Sequence, residues 1–266
     1  MLNRFFSVFS LISRIPIPFK FKFDTSRLDF YLPIVGVFPC IINFFCLNLV
    51  LHFTNELIAI VIMLAVQYFC FNLFHLDGLC DTADAFLGTH NKEKTLQILT
   101  DSRIGVYGTF AAFITLVLKI FLLYAILDSR SSYAMLWILY PVFGRFCSSL
   151  LAAISKPADE SGLGVLAKDS KIIFSVFGFL CAMLICVGLM SVFFLNDIYT
   201  FDPINISTGL ISIFTFFGIA VLLSFLIALF FDLLHKKRIG GYTGDALGAS
   251  IEIGELLFLL LAVVYL

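Results

Sequence analysis

The segment HLDGLCDTADAF, residues 75–86, places three aspartates directly after one of the most apolar runs of the chain. On an α-helix with about 100° between residues, Asp81 lies about 40° and Asp84 about −20° from Asp77, so the three carboxylates share one stripe. Like charges repel strongly in the low dielectric at the edge of a bilayer, and a divalent cation removes the repulsion. Hard oxygen ligands suit Mg²⁺ or Mn²⁺. The pattern therefore predicts a metal site, with a solvated helix end at the membrane boundary as the alternative.

The composition is that of an integral membrane protein. The chain has 266 residues, of which 61% are hydrophobic and 13% charged, and its mean hydropathy is +1.06. Soluble domains carry roughly 25% charged residues. The net charge of −1 argues against a nucleic-acid partner. The seven cysteines show no metal-ligand spacing and lie mostly in apolar runs, so neither a disulfide framework nor a zinc site is expected.

Seven apolar runs are long enough, or nearly so, to cross a bilayer as helices, which takes about 20 residues. Because the runs are continuously apolar rather than alternating, helices are favoured over a barrel. The predicted fold is an all-α polytopic membrane protein, one domain over residues 1–266, with a short N-terminal interfacial helix that ends at Pro16 and Pro18. The predicted spans are 31–52, 57–75, 105–127, 133–153, 171–195, 206–231 and 249–266.

The distribution of Lys and Arg predicts the orientation of these spans. The cations of the connections lie before the first span and in the second, fourth and sixth connections, with Arg130 as the exception. By the positive-inside rule, these connections and the N-terminus are cytoplasmic. The aspartate motif and the segments 100–108, 159–164 and 240–255 all map to this side. We therefore expect a multi-pass protein of the cytoplasmic (inner) cell membrane whose active site faces the cytoplasm.

The segment GGYTGDALGASIEIGE, residues 240–255, predicts a glycine-rich loop that leads into a helix. Gly241 and Gly244 allow close approach of the backbone, and Thr243 or Asp245 can cap the helix. A loop of this kind at a helix N-terminus is a possible phosphate site, although a plain turn is an equal alternative.

Four charged residues lie within or beside the apolar part of predicted spans. Glu252 and Glu255 fall roughly 10 and 15 Å along the helix from Asp245. Carboxylates at this depth are costly, so they are predicted to complete a metal site or to pair with an intramembrane cation. Arg145 is such a cation, and its guanidinium matches phosphate or carboxylate, with snorkelling to the surface as the less favoured alternative. Lys119 lies nearer the outer half of its span, where snorkelling to the surface is an equal alternative.

Further candidates lie at the cytoplasmic mouth. Arg103, beside Asp101 in the sequence DSR, could hold a phosphate or simply follow the positive-inside bias. His75 could act as a base or as an outer-shell partner of the metal, and a satisfied interfacial histidine is at least an equal alternative. An acidic metal site with basic and glycine-rich phosphate elements is the equipment for displacement at a phosphorus atom.

These motifs resemble the cobalamin synthase family, the adenosylcobinamide-GDP ribazoletransferases, from near the N-terminus to the C-terminus. The segments that carry the resemblance are FSLISRIPIP, LPIVG at 32–36, HLDGLCDTADAF, DSRIGVYG, the Lys of VLKIF, Arg145, GLG at 162–164 and GGYTGDALGASIEIGE. The chain departs from the family pattern at Cys80, commonly a small Ala, and at Thr100, where a basic residue often precedes DSR. The stretch 156–160 also lacks the basic residue expected just before the acid.

The resemblance implies a Mg²⁺-dependent membrane transferase of the last stage of coenzyme B12 biosynthesis. The 3′-hydroxyl of α-ribazole, or of its 5′-phosphate, would attack the corrinoid-bearing phosphorus of adenosylcobinamide-GDP and release GMP. The implied partners are these substrates and the lipid bilayer, with no nucleic acid. A homo-oligomer, or an association with other late B12-pathway enzymes, is left open.

The resemblance also implies roles for the site residues. The predicted metal ligands are Asp77, Asp81, Asp84 and Asp245, and these four with Glu252 and His75 form the predicted catalytic set. Within that set, Asp245 and Glu252 would complete the metal site or position the nucleophile. The predicted substrate-binding set is Asp101, Arg103, Lys119, Arg145, Gly241, Thr243, Gly244 and Glu255.

Two other classes of membrane protein use similar elements. CDP-alcohol phosphotransferases and prenyl-diphosphate transferases also hold a metal pyrophosphate with aspartate-rich motifs, but the spacing D-x3-D-x2-D, with Gly after the first Asp, matches neither pattern. A transporter with an acidic ion path is a less favoured alternative. Transporter sites usually lie near the midplane between internal repeats, whereas these aspartates gather at one edge and no repeat is evident.

Overall fold

The structure is a computed structural model that describes residues 1–129, 134–158, 162–193 and 206–265, and in these ranges its secondary-structure elements are all helices, without a β-strand. The helices are α1 (Leu2–Ile12), α2 (Leu28–Val35), α3 (Val37–Leu51), α4 (Glu56–Gln67), α5 (Leu73–Gly88), α6 (Lys92–Leu99), α7 (Val106–Asp128), α8 (Tyr140–Ile154), α9 (Ile172–Phe193), α10 (Ile206–Ile239) and α11 (Gly244–Tyr265). The predicted all-α class and the short N-terminal helix are confirmed.

Within the described residues, seven helical segments are long and apolar enough to cross a membrane, which agrees with the predicted number of spans. They are Leu28–Leu51, Glu56–Gly88, Val106–Asp128, Met135–Ile154, Ile172–Ser191, Ile211–Ile239 and Gly244–Tyr265. Arg130, the predicted start of the fourth span at 133, the predicted end of the fifth at 195, the acids of 159–160 and residue 266 lie outside the described residues.

The spans differ from the predicted ones mainly at the ends that carry polar motifs. The second span continues through the aspartates to Gly88, and the last begins at Gly244 rather than at 249. Hydropathy ends a span where apolar residues end, but a helix continues as long as its backbone hydrogen bonds and its neighbours support it. At the N-terminus, α1 ends at Ile12, because Ser13 is already extended ahead of Pro16.

A π-helical turn at Tyr68–Asn72 joins α4 to α5 inside the second span. Such turns insert one residue into the helix and are frequent at functional sites. The chain that follows α1 uses this irregularity, because the backbone N–H of Arg14 donates to the carbonyl of Cys70 at 2.8 Å. The N-terminal segment is therefore fastened to the turn, while Tyr68 and Asn72 are buried within the bundle.

Helices α8 and α11 form the centre of the bundle. In the span that contains α8, 89% of the most apolar stretch is buried inside the protein. The corresponding share is 28% in the spans that contain α9 and α10. Small residues allow the two central helices to approach closely, since a Cβ on Gly144 would lie 2.6 Å from the carbonyl oxygen of Ile251. On α11, a Cβ on Gly254 would lie 3.1 Å from the Cα of Gly144. In lipid, where there is little hydrophobic drive between helices, such packing sustains association.

The contact of α2 with α9 depends on a glycine in the same way. A Cβ on Gly178 would clash with the backbone carbonyl of Phe30, whereas a Cβ on Gly188, ten residues further along α9, would meet nothing within 4 Å. The two positions therefore form a matched pair on one membrane helix.

We predict that Gly178→Ala destabilises the protein and that Gly188→Ala does not. Overpacking costs typically 1–3 kcal/mol, which exceeds the roughly 1 kcal/mol that Ala gains over Gly in a helix. Thermal unfolding in detergent, followed by circular dichroism, measures both variants against wild type. Equal midpoints for the two variants would contradict the described packing of α2 on α9.

Candidate active site

The three aspartates of the opening motif lie on α5, as the helical stripe predicts, but their surroundings differ. Asp77 is exposed, Asp81 is half-buried and Asp84 is buried. Asp81 lies in the electrostatic field of both neighbours on the stripe and of Asp245. In the described part of the chain, Asp77, Asp81 and Asp245 form no ion pair, so no cation of the protein offsets their mutual repulsion.

Asp84 is tied to the start of α7. Its two carboxylate oxygens accept hydrogen bonds from the backbone N–H groups of Gly105 and Gly108, at 2.6 and 2.9 Å. A Cβ on either glycine would clash with the Asp84 carboxylate, which explains both glycines of the segment DSRIGVYG. The carboxylate also satisfies two N–H groups of the kind that a helix start leaves unpaired. The predicted ligand role of Asp84 stays a prediction, and it would use the remaining lone pairs of these oxygens.

The acidic segments of α5 and α11 converge where the two helices cross. A Cβ on Gly78 would lie 2.8 Å from the backbone oxygen of Asp245, and a Cβ on Gly248 would lie 3.1 Å from the Cα of His75. The backbones of α5 and α11 are therefore in contact at two places, which lie about one turn apart along α11. This crossing brings Asp245 to the aspartate stripe of α5.

The glycine-rich loop before α11 is bound to the connection that follows α8. The Tyr242 N–H donates to the carbonyl of Lys156 at 2.9 Å, and the Ala158 N–H donates to the carbonyl of Tyr242 at 2.8 Å. The buried Tyr242 hydroxyl donates to the carbonyl of Gly164 at 3.1 Å, and burial raises the pKa of this phenol, so it remains protonated. A Cβ on Gly241 would clash with the carbonyl of Lys156. The GLG and GGYTG segments thus form one surface beside the acids.

Thr243 and Gly244 begin α11 on this surface. The Thr243 hydroxyl accepts a hydrogen bond from the backbone N–H of Ala246 at 3.2 Å, which is the capping arrangement expected from the sequence. A Cβ on Gly164 would lie 3.3 Å from the backbone nitrogen of Gly244. Both loops therefore reach the N-terminal end of α11, where the helix dipole favours an anion.

Arg103 and Asp101 form an exposed ion pair near the start of α7. The guanidinium Nη2 lies 2.7 Å from a carboxylate oxygen of Asp101, and the Arg103 side chain is 86% exposed. Hydrogen bonds from Arg103 lower the pKa of Asp101, so the pair is charged at neutral pH. An exposed pair contributes little to stability. Its exposure leaves Arg103 free to exchange Asp101 for a phosphate, and the predicted substrate-binding role of both residues stays a prediction.

The four intramembrane charges meet in one buried network. The Lys119 ammonium lies 2.7 Å from Glu252 and 2.6 Å from Glu255, and the Arg145 guanidinium lies 3.1 Å from Glu255. All four side chains are fully buried, and their two positive and two negative charges cancel. The sequence left open whether Glu252 and Glu255 complete a metal site or pair with an intramembrane cation. The structure shows that both pair with cations. Lys119 does not snorkel to the surface.

Neutral side chains of the π-helical turn complete this network. The Tyr68 hydroxyl donates to Glu252 at 2.6 Å, and the Asn72 amide donates to both glutamates at 3.0–3.2 Å. Sequence reasoning missed these two residues, although polar side chains in an otherwise apolar span were the available signal. The predicted catalytic and substrate-binding roles of these four charged residues stay predictions. The residues lie deeper in the bundle than the acids at the α5–α11 crossing.

Arg238 is a third residue that sequence reasoning missed. Its guanidinium donates to the carbonyls of Phe86 and Thr89, at 3.1 and 2.6 Å, at the C-terminal end of α5. The cation thereby satisfies carbonyls left unpaired at a helix end and complements the helix dipole. The end of α10 is fastened in this way to the helix that carries the aspartates.

The aspartates at the crossing fit a magnesium ion whose remaining ligands come from the substrate. In the described residues, no three His, Cys, Asp or Glu side chains form a ready-made metal site. Magnesium is usually held by one or two carboxylates together with substrate phosphates and waters. The exposed Asp77 and half-buried Asp81 on α5 supply oxygen ligands of that kind, and Asp245 on α11 lies close enough to act electrostatically on Asp81.

We predict that Lys119→Met destabilises the bundle severely. Removing one partner of a buried ion pair costs on the order of 3–5 kcal/mol, because the remaining charge is left uncompensated. Adding Glu252→Gln restores a neutral network and recovers part of the loss. Thermal unfolding of both variants is compared with that of Lys94→Met, which changes an exposed lysine of α6. A midpoint for Lys119→Met equal to that of Lys94→Met would contradict the network.

Comparison with known proteins covers nearly the whole chain. Residues 4–263 match the family model described as Cobalamin-5-phosphate synthase. A Thermosipho melanesiensis protein named adenosylcobinamide-GDP ribazoletransferase is 34% identical over 272 residues, covering 99% of this chain and 100% of its own length. A Fusobacterium nucleatum protein of the same name is 32% identical over 276 residues, covering 99% of this chain and 98% of its own.

No solved structure matches the chain. A Clostridium botulinum (strain Kyoto) protein, also named adenosylcobinamide-GDP ribazoletransferase, is 32% identical over 267 residues, covering 98% of this chain and 97% of its own length. The family model and the relatives indicate the same family as the motifs that the structure brings together at the α5–α11 crossing. The chain therefore belongs to the cobalamin-5-phosphate synthase family.

Proposed function

We infer that the protein is an adenosylcobinamide-GDP ribazoletransferase, the enzyme that its relatives are named for. It transfers the adenosylcobinamide-phosphate group of adenosylcobinamide-GDP to α-ribazole or α-ribazole 5′-phosphate, releases GMP, and forms adenosylcobalamin or its 5′-phosphate. The observation that carries this inference is the convergence of the acids of α5 with Asp245 of α11, beside a glycine-rich surface. A metal diphosphate needs both elements.

The reaction is a displacement at phosphorus. The 3′-hydroxyl oxygen of the ribazole forms a bond to the phosphorus that bears the corrinoid, and the bond from that phosphorus to the bridging oxygen breaks, so that GMP leaves with the electron pair. Bound Mg²⁺ supplies charge neutralisation on the diphosphate. We assign Asp77 and Asp81 to holding it, because they are the accessible acids of α5.

Asp245 and Asp84 take different parts in this proposal. Asp245 is the acid that α11 contributes, and we assign it to orienting the attacking hydroxyl and accepting its proton. Asp84 holds the start of α7 against α5, and so positions the neighbouring Asp81 and the Asp101–Arg103 loop. Arg103 and the glycine-rich surface would receive phosphate oxygens, because exposed guanidinium and backbone N–H groups match their charge.

We also propose that this site faces the cytoplasm of the inner membrane. The four connections rich in Lys and Arg belong to the same side by the positive-inside rule. The contacts of Tyr242 with Lys156 and Gly164, and of Arg238 with Phe86, join three of these connections at one end of the bundle. A water-soluble nucleotide product would leave directly into that compartment.

We predict Mg²⁺-dependent GMP release by the purified protein in lipid nanodiscs supplied with adenosylcobinamide-GDP and α-ribazole. Chelation with EDTA should stop release, and added Mg²⁺ should restore it, with products measured by liquid chromatography. Folded protein that releases no GMP under these conditions would remove the proposed reaction. CDP-alcohol and prenyl-diphosphate substrates serve as controls for the two alternative transferase classes.

We further predict that Asp81→Asn lowers turnover by about a hundredfold or more, since loss even of groups that support a metal ligand costs 10–100-fold. The variant should fold like wild type, because Asp81 has no ion-pair partner among the described residues. Glu93→Gln, on the exposed surface of α6, is the matched control. Turnover of Asp81→Asn equal to that of Glu93→Gln would exclude a metal role for the stripe.

A further inference from the structure

The N-terminal segment, residues 1–27, carries more positive charge than the protein neutralises. It contains five Lys or Arg side chains and a single acid, Asp24. Arg4 is paired with Asp24 at 3.1 Å, and Arg27 is paired with Asp29 at 3.7 Å. Within the ranges that the structure describes, the cations that are exposed and form no ion pair are Arg14, Lys20 and Lys22. This segment therefore presents three positive charges to its surroundings.

Arg14 differs from the two lysines because it stands at a cavity. The cavity has a volume of about 200 Å³ and lies between the end of α1 and the π-helical turn with the start of α5. Arg14, Phe69, Leu73 and Phe74 are among the residues that line it. A cavity needs about 10–15 Å³ of open volume to hold one water molecule, so this one has room for a phosphodiester group.

The apolar wall of the cavity faces lipid. Phe69, Leu73 and Phe74 belong to the second apolar span and are 62%, 41% and 42% exposed. The guanidinium carbon of Arg14 lies 5.6 Å from the centroid of the Phe69 ring. A charge beside hydrocarbon is costly unless an opposite charge accompanies it. Because no carboxylate of the described chain pairs with Arg14, the counter-ion at this place comes from outside the protein.

The free cations are attached to ordered parts of the fold. The backbone N–H of Arg14 donates to the carbonyl of Cys70, as described above. The rings of Phe19 and Phe21, on either side of Lys20, lie 4.7 and 6.1 Å from the ring of Phe6 on α1. The basic segment is therefore folded back on α1. Ligand binding to such a segment costs less ordering entropy than binding to a free tail.

We propose that Arg14 and this cavity bind the headgroup of an anionic phospholipid. The guanidinium holds the lipid phosphate, since its planar fork matches two phosphate oxygens. The acyl chains lie along Phe69, Leu73 and Phe74. Lys20 and Lys22 add general attraction to a negatively charged leaflet. The proposal concerns a second ligand of the protein and does not depend on the reaction at the α5–α11 crossing.

A bound lipid would act on the helix that carries the aspartates. Arg14 is hydrogen-bonded to the π-helical turn, and the same turn contributes Tyr68 and Asn72 to the buried charge network. A lipid that binds the folded protein at this place stabilises it against unfolding. We therefore expect anionic lipid to raise the thermal midpoint of the protein.

The first test measures lipid binding directly. Native mass spectrometry of the purified protein in detergent, titrated with phosphatidylglycerol or phosphatidylcholine, should show one phosphatidylglycerol bound at least tenfold more tightly than phosphatidylcholine. Arg14→Gln should remove this preference, because a hydrogen-bonded charge pair is worth about tenfold or more in affinity. Equal binding of the two lipids to wild type would overturn the proposal.

Arg4→Gln is the matched control, because it removes the same charge from the same segment. Arg4 is already paired with Asp24, so the preference for phosphatidylglycerol should stay within about twofold of wild type. Arg14→Lys keeps the charge but lacks the fork, so its preference should lie between those of wild type and Arg14→Gln. A preference that falls equally in Arg4→Gln and Arg14→Gln reports total charge alone and overturns the site.

The second test separates a lipid from a free anion. Thermal unfolding in nanodiscs should give wild type a higher midpoint in phosphatidylglycerol than in phosphatidylcholine, and Arg14→Gln should abolish this difference while Arg4→Gln keeps it. Inorganic phosphate added to wild type in phosphatidylcholine should not raise the midpoint. A rise with inorganic phosphate equal to that with phosphatidylglycerol would show a site for free phosphate and overturn the lipid proposal.

Discussion

The close contact between α5 and α11 is the constraint on which the rest of the structure depends. Two glycines, Gly78 and Gly248, let the helix backbones touch, and no larger side chain fits between them. Association of helices in lipid relies on this kind of packing rather than on the hydrophobic effect. Because the contact lies beside Asp245, it brings that acid to the aspartates of α5.

A buried and electrically neutral network supports this crossing from deeper in the bundle. Lys119 of α7, Arg145 of α8 and the glutamates of α11 connect three helices with the π-helical turn that precedes α5. Burying charges is expensive, and breaking one pair is more expensive still. The network therefore gives α11 one rotational setting and one depth. A site that must align a metal diphosphate with a hydroxyl requires such rigid support.

The acids at the crossing divide into two kinds by their partners. Both carboxylate oxygens of Asp84 accept hydrogen bonds from backbone N–H groups at the start of α7. In contrast, Asp77, Asp81 and Asp245 lie near one another without a cation among the described residues. The first kind is a structural tie and the second is a site that a divalent ion would complete. The glycines near them, Gly105 and Gly241, follow from the same packing, because a Cβ at either position would clash with a neighbouring group.

The sequence by itself determined the helical membrane fold, the number of spans, the stripe of aspartates and the family. These properties depend on local composition and periodicity, which a single chain displays directly. Only the tertiary structure decided which charges meet. It paired Glu252 and Glu255 with Lys119 and Arg145, and it turned Asp84 toward α7. Such pairings depend on helix rotation, depth and crossing, which are set by contacts between segments far apart in the chain.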